Sequence, residues 1–165
     1  MNEINVKNTQ NKLICSYGIN NKLDGDYISY YDNGKINIKT TYLNGNIHGK
    51  YISMYDNGQI KINCFYLNGV YDGLFESWYK NGNRKELCHY KNGIQNGIRT
   101  VWYENGIKKE EYVKINDNLQ GYHMLWDTNG IPQMYNYQHI ESSDNIVIKK
   151  PRYIKNSVRA KKINV

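Results

Sequence analysis

Between residues 49 and 68 the chain alternates by twos. Tyr51, Ser53, Tyr55, Ile60, Ile62, Cys64 and Tyr66 fall on one face of an extended strand pair, and Lys50, Ile52, Met54, Lys61, Asn63 and Phe65 fall on the other. The first face is aromatic and apolar, and the second is mixed. Asn57-Gly58 interrupts the alternation once and Asn68-Gly69 ends it. Asn-Gly is the strongest two-residue hairpin signal, because both central residues of a type I′ turn need positive φ. A turn at Asn57-Gly58 predicts the pairs Tyr55 with Ile60, Ser53 with Ile62 and Tyr51 with Cys64. A turn at Asn68-Gly69 predicts Tyr66 with Tyr71 and Ile62 with Phe75. The nearby Gly73 admits a longer loop or a bulge.

The same pattern recurs every 24 residues. Gly25, Gly49, Gly73, Gly97 and Gly121 form one series; Gly34, Gly58, Gly82, Gly106 and Gly130 form a second, each preceded by Asn. Gly45, Gly69 and Gly93 form a third, which decays at Asn116-Asp117, so 13 of the 14 glycines keep one period. Aromatic columns run with them: Tyr27, Tyr51, Phe75, then Arg99 and His123; Tyr31, Tyr55, Tyr79, Tyr103, then Asp127; Tyr42, Tyr66, Tyr90, then Lys114. Such periodicity marks a repeat architecture. With two turns per repeat, each repeat is two antiparallel strands. The expected fold is all-β: a single-layer antiparallel meander of tandem β-hairpins, about ten strands in about five 24-residue repeats. The expected division is a lead-in over 1–16, repeats over 17–138 and a basic, non-repeat C-terminal tail over 139–165.

The run Gly73-Leu-Phe-Glu-Ser-Trp-Tyr-Lys-Asn-Gly82, continuing to Tyr90-Lys-Asn-Gly93 and Gly97, resembles the core of a MORN repeat. The 24-residue spacing is similar to the variant found in bacterial proteins labelled antitoxins of toxin–antitoxin systems. The resemblance covers about residues 17 to 138 and implies a hairpin meander with a scaffold or interaction role, sometimes near membranes. The first repeat is partial (Tyr17, Asn20-Asn21), and the last ends in Pro132, which suits an edge strand.

Composition narrows the classes. One Ala against 25 Asn, 17 Tyr and 14 Gly argues against a helical bundle. The 13% aromatic content argues against disorder despite a mean hydropathy of −0.80. No apolar run reaches the ~18 residues of a membrane-spanning helix, and Met1 to Cys15 lacks the apolar segment of a secretory signal. Intracellular, cytoplasmic residence is expected, with membrane-peripheral placement as its variant.

Catalytic, cofactor-binding and metal-ligating constellations are not found. Cys64 and Cys88 share a column two strands apart, too far for a disulfide, and Cys15 falls out of phase with both. His48, His89, His123 and His139 show no ligand spacing. There is no Gly-x-Ser-x-Gly elbow or phosphate-binding glycine loop.

The candidate partner-binding face is therefore Tyr27, Tyr31, Tyr51, Tyr55, Phe75, Tyr79, Arg99, Tyr103 and His123. Along it the columns turn from apolar to charged: Tyr27, Tyr51, Phe75, Arg99, His123; Ile36, Ile60, Arg84, Lys108; Ile38, Ile62, Glu86, Glu110. Two readings stand. In one, rings grip an apolar or extended segment and charges orient it. In the other, Arg84 and Lys108 simply pair with Glu86 and Glu110 as solvated ion pairs. Trp78, Trp102 and Trp126 stripe the opposite face beside Lys85 and Lys109, as packing, as a platform for stacking bases or as a membrane-interface stripe.

Over 141–165, Lys149, Lys150, Arg152, Lys155, Arg159, Lys161 and Lys162 against Glu141 and Asp144 leave +5 of the chain's +7. These cations are the candidate contact for an anionic surface, a membrane above all. Nonspecific nucleic acid, a localisation signal at Lys149-Lys150-Pro151-Arg152, and a plain solvated tail or a segment capping the last strand are the alternatives; no sequence-specific nucleic acid is expected. The favoured role is a non-enzymatic scaffold for an unidentified protein partner. Peripheral binding to anionic lipid comes second, and antitoxin-like neutralisation of a partner third. Edge-to-edge homo-oligomerisation is open.

Overall fold

The computed structural model describes residues 4–7, 13–18, 20–136 and 152–154. They form one open antiparallel sheet with no helix. The strands are β1 (Ile4–Lys7), β2 (Leu13–Tyr17), β3 (Leu23–Tyr30), β4 (Ile36–Leu43), β5 (Asn46–Ile47), β6 (Gly49–Met54), β7 (Ile60–Leu67), β8 (Val70–Trp78), β9 (Arg84–Lys91), β10 (Ile94–Gln95), β11 (Gly97–Trp102), β12 (Lys108–Ile115), β13 (Asn118–Trp126), β14 (Pro132–Asn136) and β15 (Arg152–Ile154). Their order across the sheet is their order in the chain, except that β5 lies on β4 as a detached start of β6, and β10 lies on β9 as a detached start of β11. The sheet is thus thirteen strands across. It is wider than the repeat count predicts, because β1, β2 and β15 join it from outside the repeats.

The two Asn-Gly series build different turns. At Asn44-Gly45, Asn68-Gly69 and Asn92-Gly93 both residues have positive φ, as a type I′ turn requires (50° and 86° at Asn68-Gly69). Asn116-Asp117 keeps that conformation (49° and 65°) although its Gly is lost, so the turn outlives its sequence signal. In the other series only the Gly is left-handed. Gly58 donates its N–H to the Tyr55 carbonyl at 2.8 Å and Tyr55 donates to the Gln59 carbonyl at 2.8 Å. This is a type I turn closed by a Gly bulge, with three loop residues instead of two.

The pairing expectations shift accordingly. Met54, not Tyr55, opposes Ile60, and the register then slips by one so that Ser53↔Ile62 and Tyr51↔Cys64 fall as expected. Across the next turn Tyr66↔Tyr71 holds, but a second irregularity follows near Gly73, whose φ is 102°. Cys64 then opposes Phe75, and Ile62 opposes Ser77 rather than Phe75. That slip is two residues, so the faces survive it. Pro132 opens β14, and β15 lies beyond it, pairing with Met134 to Asn136. Proline is tolerated there as a first residue, not because β14 is an edge.

Successive repeats are tied on both flanks. On one, each I′ turn donates backward: Gly45 to the Leu23 carbonyl, Gly69 to Ile47 and Gly93 to Tyr71, each at 2.8 Å. On the other, Tyr hydroxyls donate forward to carbonyls one repeat on: Tyr31 to Met54 (2.6 Å), Tyr55 to Trp78 (2.8 Å), Tyr79 to Trp102 (2.8 Å) and Tyr103 to Trp126 (2.9 Å). A single layer offers little interior. The buried hydrophobic side chains among the described residues are Cys15, Cys64 and Cys88.

Candidate interaction face

The registers bring one row of side chains into line across the sheet. Cys15 opposes Tyr27, which opposes Thr40. Lys39↔Ile52 carries the line to Tyr51, then Cys64, Phe75 and Cys88. Leu87↔Thr100 carries it to Arg99, then Tyr112 and His123. Cys15, out of phase in the 24-residue count, lies in this row because the β2–β3 turn is closed by the Gly18 N–H on the Lys22 carbonyl (2.8 Å), one loop residue longer than the I′ turns of the later repeats, which shifts β2 by one. Small and large residues alternate along it as far as Arg99. Thr40 and the three Cys are buried, the latter at 0–1% exposure, beneath the rings on either side. Burial pushes the Cys64 thiol up to about 12, and burial together with the Glu86 charge does the same to Cys88. The thiols are free.

Over the middle of the row the rings form a continuous cluster. Tyr51 meets Tyr66 edge-on at 5.6 Å between centroids, Tyr66 meets Tyr71 at 4.6 Å, and Tyr71 meets Phe75 at 5.4 Å and Tyr90 at 5.1 Å. Phe75 and Tyr90 close it at 6.0 Å. Tyr27 and Tyr42 make a separate pair at 5.5 Å. Such offset and edge contacts contribute about 0.5–1.5 kcal/mol per pair beyond area. Burial raises the phenols of Tyr51, Tyr66 and Tyr90 above the ordinary tyrosine range, so they stay neutral donors. Tyr71 is the hub and is absent from the residues the columns select. Its own column runs Ile47, Tyr71, Gln95, Leu119 and carries no periodic signal; the predicted Tyr66–Tyr71 pair was the clue to it.

The row then becomes ionic. Arg99 Nε donates to Glu86 Oε1 at 2.7 Å, and its Nη1 donates to Glu110 Oε2 at 3.2 Å and to the Tyr112 hydroxyl at 3.3 Å. His123 Nε2 lies 2.8 Å from Glu110 Oε1, and the Tyr112 and His123 rings touch at 5.3 Å. Partial burial works against the Arg99 charge, but the Glu86 bond and charge, with Tyr112, outweigh it and raise its pKa. The gradient from rings to charges is therefore present on this face, though its acids pair with Arg99 and His123.

Arg84 and Lys108 do not pair with Glu86 and Glu110. The one-residue slip after each Gly-bulge turn moves them to the other face. There Arg84 bonds Glu76 at 3.2 Å and Lys108 bonds Glu111 at 2.6 Å. Their cations lie over Trp102 (5.7 Å) and Trp126 (5.6 Å), positions expected for Lys85 and Lys109. Lys85 and Lys109 instead lie over Tyr79 and Tyr103, each at 5.6 Å, as Lys61 does over Tyr55 at 5.7 Å.

The nine residues selected from the sequence thus divide. Tyr27, Tyr51, Phe75, Arg99 and His123 share the central row. Tyr31, Tyr55, Tyr79 and Tyr103 stand at the turn flank with their hydroxyls bound to the next repeat. Among the basic-tail residues, Arg152 belongs to β15, with its backbone opposite Asn136; Lys149, Lys150, Lys155, Arg159, Lys161 and Lys162 lie outside the described residues. No group of three His, Cys, Asp or Glu among the described residues is placed to hold a metal ion.

The family model described as MORN repeat variant matches residues 23–44, 47–68, 71–92 and 95–114, just over half of the chain. Each of the last three matched segments starts just after an I′ turn, and the first starts just after the turn at Gly18–Lys22. No curated protein matches the chain.

Proposed function

The chain belongs to the MORN-repeat family, a non-enzymatic repeat family, and on that premise we propose that it is a scaffold that holds a protein partner against the aromatic face of its sheet. MORN repeats suggest a scaffold of a kind common in protein or membrane interaction. The observation that supports protein docking here is the five-ring cluster of Tyr51, Tyr66, Tyr71, Phe75 and Tyr90, on a sheet with no second layer among the described residues. Aromatic patches bordered by charge have the make-up of interface centres and rims. The Arg99–Glu86–Glu110–His123 end would orient an apolar or extended segment lying on the rings.

A pull-down from the native cell, with the full chain and a Tyr51→Ala/Phe75→Ala variant, tests this. Specific partners should be lost from a variant that keeps its circular dichroism and thermal transition. An unchanged partner list from such a folded variant overturns the reading.

A second reading, binding to anionic lipid, draws on the seven tail cations and on β15, which ties that segment to the end of the sheet. Sedimentation with anionic vesicles, with and without residues 141–165, checks it; no binding of the full chain at low salt ends it.

A further inference from the structure

One class of turn, found also at Gly18–Lys22, contains Asn-Gly in five copies: Tyr31–Lys35, Tyr55–Gln59, Tyr79–Asn83, Tyr103–Ile107 and Asp127–Ile131. In the first four copies the Asn side chain is held at both ends. Its Oδ1 accepts the backbone N–H two residues on: Lys35, Gln59 and Asn83 at 3.0 Å, and Ile107 at 3.1 Å. Its Nδ2 donates to a carbonyl of the next repeat: Asn33 to Asp56 (2.8 Å), Asn57 to Lys80 (3.2 Å), Asn81 to Glu104 (2.9 Å) and Asn105 to Thr128 (3.1 Å).

The fifth copy differs at its first residue. Asp127 stands where the others carry Tyr, and its Oδ1 takes the N–H groups of both Asn129 and Ile131 at 2.9 Å. The carboxylate has replaced the Asn129 side chain in its own turn. Asn129 is exposed, and its side-chain amide makes neither bond among the described residues.

We propose that Asn129-Gly130 is a site of spontaneous deamidation, set apart by the structure from the four other Asn-Gly dipeptides that occupy this class of turn. In the first step the Gly130 backbone nitrogen attacks Asn129 Cγ. A C–N bond forms, and the side-chain nitrogen leaves as ammonia, taking the proton that Gly130 gives up. The product is a five-membered succinimide. Water then opens the ring at one carbonyl or the other, yielding Asp or isoaspartate.

Attack requires the Asn side chain to swing its Cγ onto the following nitrogen. Two hydrogen bonds oppose that swing at Asn33, Asn57, Asn81 and Asn105, and among the described residues none does at Asn129. The attacking nitrogen does not discriminate, since each Gly N–H donates within its turn at 2.8–3.0 Å. The product places a carboxylate, or an extra backbone methylene, in the hairpin that carries β14, on which β15 pairs. Ageing at this position would loosen the attachment of the basic C-terminal segment and leave the matched repeats intact.

The test is peptide mapping by mass spectrometry of the full chain aged at mildly alkaline pH, in buffer and in concentrated urea. In buffer, conversion at Asn129 should exceed that at Asn57 and Asn81 at least about tenfold, the effect of ~1.4 kcal/mol of side-chain hydrogen bonding. In urea the sites should converge. Equal rates in buffer overturn the proposal. So does an advantage for Asn129 that persists in urea, which would assign it to local sequence instead.

Discussion

The Tyr79 hydroxyl donates to the Trp102 carbonyl at 2.8 Å, 23 residues ahead. Tyr55 and Tyr103 make the same bond to Trp78 and Trp126. A Tyr column that reads as a binding surface is thus also the seam between repeats. Tyr79→Phe keeps the ring under Lys85 and removes only the hydroxyl. It should cost about 0.5–1.5 kcal/mol, measured by urea denaturation, with no loss of partner capture. A loss of capture without loss of stability would return this column to the interface.

The two turn classes respond oppositely to one substitution. Asn68 has φ 50°, and its one side-chain hydrogen bond among the described residues is to His48 at 3.1 Å. Asn68→Gly should therefore be neutral within about 0.5 kcal/mol, since Gly accepts left-handed backbone freely. Asn57 is not left-handed, and its side chain bonds Gln59 and Lys80. Asn57→Gly should cost about 1 kcal/mol or more. Equal urea midpoints for the two variants would contradict the turn assignment.

These turns also mark what the sequence hides. The 24-residue period, the all-β class and the face of Tyr51, Cys64 and Phe75 are legible because an even repeat preserves side-chain parity. The bulges are not, because Asn-Gly is the same dipeptide in both turns. What separates them is whether one loop residue more precedes the Gly, and only backbone hydrogen bonding decides that. One inserted residue sent Arg84 and Lys108 to the opposite face, while the two-residue slip at Gly73 moved nothing between faces. Tyr71 stayed hidden for another reason: it occurs once in its column, and periodicity reports only what is repeated.

Arg99 is the one side chain that bridges both acids of its face. Arg99→Met leaves Glu86 and Glu110 side by side without their shared cation, and should cost about 1.5–3 kcal/mol by urea unfolding at low salt. Arg99→Lys should recover little, because one ammonium cannot reproduce the bonds of Nε and Nη1 to Glu86, Glu110 and Tyr112. Full recovery by Lys would mean that charge alone matters here.

The buried thiols predict alkaline lability. Cys64 and Cys88 are held protonated in the fold to about 12, against about 8.5 in an open chain. Their stabilisation is complete below the unfolded value. It falls as pH rises between the two, by up to ~1.4 kcal/mol per thiol for each pH unit. Urea midpoints taken from neutral pH to pH ~11 should drop, and a Cys64→Ala/Cys88→Ala variant, though less stable throughout, should drop less steeply. Parallel slopes would assign the loss to other groups, the raised phenols of Tyr66 and Tyr90 first among them.

The tethers of Gly69 to Ile47 and of Tyr55 to Trp78 each reach one repeat and no farther. Every unit therefore knows only its neighbours. Inserting or excising one 24-residue unit would lengthen or shorten the sheet by two strand spacings, about 9.6 Å, and would leave every other unit's face where it was. In such a molecule reach is a counted quantity: length is set by tally, in whole steps, and can be changed by duplication without redesigning anything at either end.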